Sequence, residues 1–139
     1  FLYNIKAMDI ISNKKDFEDL TIKLRDLAYS YIEKYSPSKQ QLKVYLMKKT
    51  LTKFKTSKSK KEISELIQLI IKILEKNKLL NDELYSDSKS RSLLRRGYSL
   101  NKIGQSLRTK GIEYKFIKQS LSFLKNKKID RHFHINPSK

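Results

Sequence analysis

The chain has 139 residues, 38% hydrophobic and 33% charged, which suits one domain, or a short array of small units, with a thin core. With 3 Gly and 2 Pro there are few places for tight turns, so long helices fit better than many short strands. The absence of Cys excludes a disulfide framework and Cys-ligated zinc and leads to the expectation of a reducing cytoplasm, while the net charge of +18 points to a polyanion or an acidic protein surface as partner. Lys outnumbers Arg 26 to 6, and compositional drift of an AT-rich genome would account for part of that. Clustering argues for more than drift: residues 34–61 hold ten Lys and no acid, and residues 88–112 hold seven Lys or Arg and no acid. No apolar run approaches about 20 residues, so no membrane partner is expected; the longest, "ISELIQLIIKIL", is broken by Ser64, Glu65, Gln68 and Lys72. No secretory signal is visible, and Phe1 in place of Met leaves an earlier segment expected.

Residues 1–15 are apolar at their start and poorly patterned, and they are left unassigned. From Asp16, Leu20, Leu24, Leu27, Ala28, Tyr31, Ile32 and Tyr35 recur at helical spacing, and Pro37 predicts the stop. Ser38 with Gln41 reads as a capping box for a second helix with Leu42, Tyr45 and Leu46 inward. "TLTKFKTSKSKK" reads as a basic loop near 50–60, and a third helix follows from about Lys61 to Lys76. "LLNDELYSDSKSRSLLRR" predicts a fourth helix, with Asp82 and Glu83 at the positive end of its dipole and Gly97 at its stop. Ser99 caps a fifth helix that buries Leu100, Ile103 and Leu107 and ends at Gly111. "IEYKFIKQSLSFLKN" is the sixth, and residues 127–139 form a basic tail without clear period.

The fold class is therefore all-α, and the spacing suggests a repeat. Ser38, Leu42, Leu46 and Lys49 match Ser99, Ile103, Leu107 and Lys110 at an offset of 61, whereas Ile67, Ile71 and Leu74 match Ile117, Leu121 and Leu124 at an offset of 50. The difference of 11 residues falls in the basic stretch. Two three-helix repeats are expected, 16–77 and 78–126, stacked because neither buries its apolar faces alone. "RRGYSLNKIGQSLRTKGIEYKFI" also looks like a DNA-reading helix-turn-helix. That motif needs a short turn of fixed geometry, which the first copy breaks. The candidate reading helix offers only Lys115, Lys118 and Gln119 to bases.

"YSPSKQQLKVYLMKK", "LLNDELYSDS" and "RRGYSLNKIGQSLRTKGI", in that order, resemble the RecX family of regulators of the RecA recombinase. The resemblance covers roughly residues 25–125. It implies tandem three-helix repeats in an elongated, curved molecule that binds in the groove of the RecA filament on single-stranded DNA. It implies blocked filament growth or promoted disassembly, hence weaker strand exchange and weaker RecA-stimulated repressor cleavage in the SOS response. Two features depart from the family: a third repeat is usual, and Thr50 stands where a glycine is expected after Lys49.

No catalytic constellation is found, and no cofactor or enzyme activity is expected: there is no Cys nucleophile, glycine-rich phosphate loop or His-Glu-x-x-His. His132 and His134 would share a face only in a strand, and two ligands in a basic tail make a poor metal site. The candidate contact residues are Lys48, Lys49, Lys53, Lys55, Lys58, Lys60 and Lys61 in the first copy, and Arg91, Arg95, Arg96, Tyr98, Lys102, Arg108 and Lys110 in the second. Three Arg within six residues weigh more than any Lys cluster, since the guanidinium fork suits carboxylate and phosphate alike; the plain alternative is a solvated helix face. Tyr35, Tyr45, Tyr98 and Tyr114 interleave with the bases, Tyr45 on the buried stripe. The expected partner is a RecA filament on single-stranded DNA, with direct DNA contact and a monomeric chain. A general single-stranded nucleic-acid binder and an adaptor for another acidic protein are the alternatives.

Overall fold

The computed structural model describes the backbone of residues 2–54, 56 and 58–135, and the side chains of 14–54, 56 and 58–127. It is all-α. The helices are α1 (Leu2–Tyr35), α2 (Lys39–Lys53), α3 (Lys60–Lys76), α4 (Asp82–Arg95), α5 (Leu100–Thr109) and α6 (Tyr114–Ile135). They fall into two compact units, 1–36 with 42–79 and 37–41 with 80–139, so the division passes through the first turn of α2.

In the first unit α1 packs on α3. Leu20, Leu24 and Ala28 of α1, Leu42 and Leu46 of α2, and Ile63, Leu66, Ile67, Ile70, Ile71 and Leu74 of α3 are buried. The α3 spacing places one apolar stripe along the helix, which is why that helix is amphipathic. Tyr45 is half-buried and stacks on Tyr31, ring centroids 4.0 Å apart. Helix α1 begins at Leu2, well before the expected start at Asp16: residues 2–35 contain no Gly or Pro, and poor patterning alone does not stop a helix.

In the second unit α4, α5 and α6 pack on one another around Leu93, Ile103, Leu107, Ile112, Ile117 and Leu124. Gly104 lets α5 approach α6 closely, since a Cβ there would lie 3.3 Å from Leu121 Cδ1. Small polar residues line the seam between α4 and α6: the hydroxyls of Ser86 and Ser120 are 2.8 Å apart, and Ser120 Oγ donates to Asp87 Oδ1 at 2.8 Å. Helix α6 continues through most of the expected tail to Ile135, there being no breaker before Pro137.

Of the basic stretch read as a loop near 50–60, residues 50–53 and 60 are helical, and the connection is confined to 54–59. Aligned at the two offsets, α2 is five residues longer than α5, the connection 54–59 is two longer than 110–113, and α3 starts four residues earlier than α6. The cause is Thr50. At the matching position Gly111 adopts φ 78° and ends α5, with Ile112 N–H donating to Leu107 O. Thr50 is buried within α2 and its hydroxyl donates to Leu46 O, so α2 runs on to Lys53.

Candidate partner-binding faces

In the second unit the signature stretch builds three linked features. Asn81 caps α4 by accepting from Leu84 N–H. Asp82 is buried, and its carboxylate accepts the N–H of Lys39 at 2.9 Å, at the start of α2, whose first turn has no acid of its own. The expected role of Asp82, serving its own helix dipole, is thus extended to a second helix N-terminus. Ser38 and Gln41 form the expected capping box, and Ser38 Oγ also donates to Lys110 O at 2.9 Å. These contacts are structural, and no buried side-chain nitrogen or oxygen among the described residues lacks a partner.

The C-terminal end of α4 presents the Arg cluster. Arg91 and Arg95 are four residues apart and share a face. Arg96 is the C-cap, and Gly97 at φ 87° turns the chain so that Tyr98 N–H donates to Leu93 O and Ser99 caps α5. All three Arg are exposed, and among the described residues none is ion-paired. Arg91 Nε donates to Asp87 O at 3.2 Å, and the Arg96 guanidinium lies 5.5 Å from the Tyr98 ring centre. Tyr98 remains 39% exposed, so it is a surface residue covered on one side by an arginine. Arg91, Arg95, Tyr98 and Lys127 surround a groove of about 340 Å³ floored by Leu94 and Leu124. Lys127 was missed because the sequence placed it at the start of an unpatterned tail; its helical backbone puts it beside α4. Lys102 and Arg108 are exposed on α5, and Lys110, half-buried, is its C-cap; none of the three lines the groove.

In the first unit Lys48, Lys49 and Lys53 lie at the end of α2, and Lys60 and Lys61 open α3. The Lys49 amine lies 5.7 Å from the Tyr45 ring centre. Lys53 is held below the ordinary lysine pKa, first by its hydrogen bond with the Lys49 amine and then by the repulsion between the two charges. Lys58 is half-buried: its ammonium pairs with Glu62 at 3.8 Å and lies 5.7 Å from the Phe17 ring centre, so it serves the fold of this connection. Lys55 lies outside the described residues. Lys60 and Lys61 oppose the dipole of α3, which Ser59 offsets by accepting Glu62 N–H at 3.2 Å and Glu62 by its charge in the first turn.

Among the described residues no group of three or more His, Cys, Asp or Glu side chains is placed to hold a metal ion, and no helix is long and apolar enough to cross a membrane. The backbone at His132 and His134 is helical, not strand; their side chains lie outside the described residues. No protein-family model and no solved structure matches the chain. It is 32% identical over 90 residues to the regulatory protein RecX of Myxococcus xanthus (strain DK1622). The match covers 64% of this chain and 48% of that protein, so the chain spans about half the length of the curated relative it matches. Three ordered motifs, an all-α fold and this identity make the chain similar, over the matched residues, to a RecX regulatory protein.

Proposed function

We propose that this chain regulates a RecA-type recombinase by binding the filament that the recombinase forms on single-stranded DNA, limiting its growth or promoting its disassembly. The observation that carries this reading is the identity to a protein named as a RecX regulatory protein. The exposed Arg91, Arg95 and Arg96, none ion-paired among the described residues, support it, because three guanidinium forks on one turn-and-cap suit phosphate and carboxylate together. Lys48, Lys49, Lys53, Lys60, Lys61, Lys102 and Arg108 add diffuse positive charge for the DNA of the same filament. The two units are read as copies of one three-helix unit, acting in a monomer.

The test is the length of RecA filaments on single-stranded DNA over time, with RecA ATPase as a second readout, at sub-stoichiometric amounts of the chain. Slowed growth or net loss is expected. Inhibition only at amounts that coat all the DNA refutes filament regulation and leaves the second reading, a general single-stranded nucleic-acid binder. That reading is favoured by one observation: Tyr114 is exposed on the surface of a strongly basic chain, as a base-stacking residue would be.

A further inference from the structure

We infer that the groove between α4 and α6 binds an acidic peptide segment anchored by one large apolar side chain. The inference deepens the reading above, since it makes part of the partner protein surface. The groove has two chemistries in fixed positions. Among the described residues its floor is aliphatic, Leu94 and Leu124, and its rim carries Arg91, Arg95 and Lys127 with no carboxylate. Asp87, one turn before Arg91, forms no ion pair with the rim; its carboxylate faces α6 and accepts from Ser120 Oγ at 2.8 Å. Charge complementarity therefore calls for an anion. The floor calls for an apolar group carried by the same ligand, and a cavity of about 340 Å³ holds a side chain of that kind.

Carboxylates fit better than the phosphates and bases of single-stranded DNA. Base stacking needs free aromatic faces. Among the described lining residues the one aromatic ring, Tyr98, already has the Arg96 guanidinium 5.5 Å from its centre, and the floor offers none. Of the three described cations on the rim, two are Arg, in a chain with 26 Lys and 6 Arg. A planar fork gains over an ammonium where the target is planar and bidentate, as a carboxylate is. Arg91 is also partly oriented: Nε donates to Asp87 O, which leaves the terminal amino groups for the ligand. An anchored acidic segment thus has its carboxylates met by Arg91, Arg95 and Lys127 and its anchor seated between Leu94 and Leu124.

The test uses the whole chain and three fluorescent probes followed by polarisation: a peptide of Asp and Glu with one central Phe, the same peptide with Ser for Phe, and an oligothymidylate of equal charge. The Phe peptide is expected to bind about tenfold or more tighter than the Ser peptide, the worth of burying one aromatic side chain. Arg95→Lys, an exposed change that keeps the charge, is expected to weaken the Phe peptide about fivefold while leaving oligothymidylate binding nearly constant. Equal affinity for the two peptides overturns the inference, because charge alone then explains binding. An oligothymidylate that loses as much as the peptide on Arg95→Lys also overturns it and assigns the groove to nucleic acid. No recombinase is present, so these outcomes are independent of the filament assay: either reading can fail while the other stands.

Discussion

Gly97 and Gly111 end two helices in the same way, and alanine at the two positions should cost very different amounts. Both sit at left-handed φ, 87° and 78°, and each is followed by a residue whose N–H returns to the carbonyl five residues back. At Gly97 an added Cβ meets nothing within 4 Å. Gly97→Ala therefore pays only the left-handed backbone penalty of about 1 kcal/mol. At Gly111 the Cβ would fall on the Gln40 side chain, overlapping its Oε1 and lying 2.5 Å from its Cδ and 2.6 Å from its Cβ. The amide end of Gln40 can swing away, but its Cβ is fixed to the first turn of α2. That turn is itself held by Ser38 Oγ on Lys110 O and by Asp82 on Lys39 N–H. Displacing it adds an overpacking term of about 2 kcal/mol, so Gly111→Ala should cost about 3 kcal/mol. The difference between the two variants is roughly thirtyfold in the unfolding equilibrium. Urea unfolding followed by far-ultraviolet circular dichroism measures it. In a Gln40→Gly background, where the opposing Cβ is gone, the cost of Gly111→Ala should fall back to that of Gly97→Ala. Equal costs for the two glycines, or an excess that persists without the Gln40 side chain, would refute the packing account.

Lys78 takes the same left-handed position after α3, at φ 62°, with Leu79 N–H on Leu74 O, so Lys78→Gly should stabilise by about 1 kcal/mol in the same unfolding assay. Asp82→Ala should destabilise by about 2 kcal/mol, the worth of a charge-assisted bond to a buried helix start, whereas exposed Glu83→Ala should stay within about 0.5 kcal/mol. Replacing Lys53, Lys60 and Lys61 together by Gln should leave the helical signal intact and flatten the log–log salt dependence of single-stranded DNA binding by about 2, at about 0.7 per lost charge; an unchanged slope removes these residues from the interface.

Much of the fold was legible because the signals were local. The capping pairs Ser38 with Gln41 and Ser99 with Lys102 N–H, the stop at Gly97, and the inward residues Leu42, Leu46, Ile103 and Leu107 all follow from spacing along one helix. The extent of α2 was not legible from polarity. "TLTKFKT" has the composition of a loop, but a helix ends where a residue can turn left-handed, and Thr50 is instead tied down by its bond to Leu46 O. Asp82 shows the same limit at longer range: its carboxylate meets Lys39 N–H, 43 residues away in sequence, which no local pattern encodes. At the candidate site, the shared face of Arg91 and Arg95 followed from helical spacing. Lys127 and the apolar floor required the packing of α6 on α4.

The positive charge of the molecule is thus of two physical kinds, and they answer differently to salt. The hydrogen bond with the Lys49 amine, and then the repulsion between the two amines, depresses the Lys53 pKa below its ordinary value of 10.5. The penalty is relieved only as pH rises through the depressed pKa, where the unfolded chain holds more protons and stability therefore increases. Near neutrality an anion lying between the two amines is what removes the repulsion, and added salt removes it equally well. The groove beside Arg91 and Arg95 combines cations with an aliphatic floor, whose burial salt does not screen. A partner held only by the lysines should dissociate as ionic strength rises. A partner seated in the groove should keep the share of its affinity that comes from Leu94 and Leu124, so the affinity surviving at high salt isolates the groove from the surrounding charge.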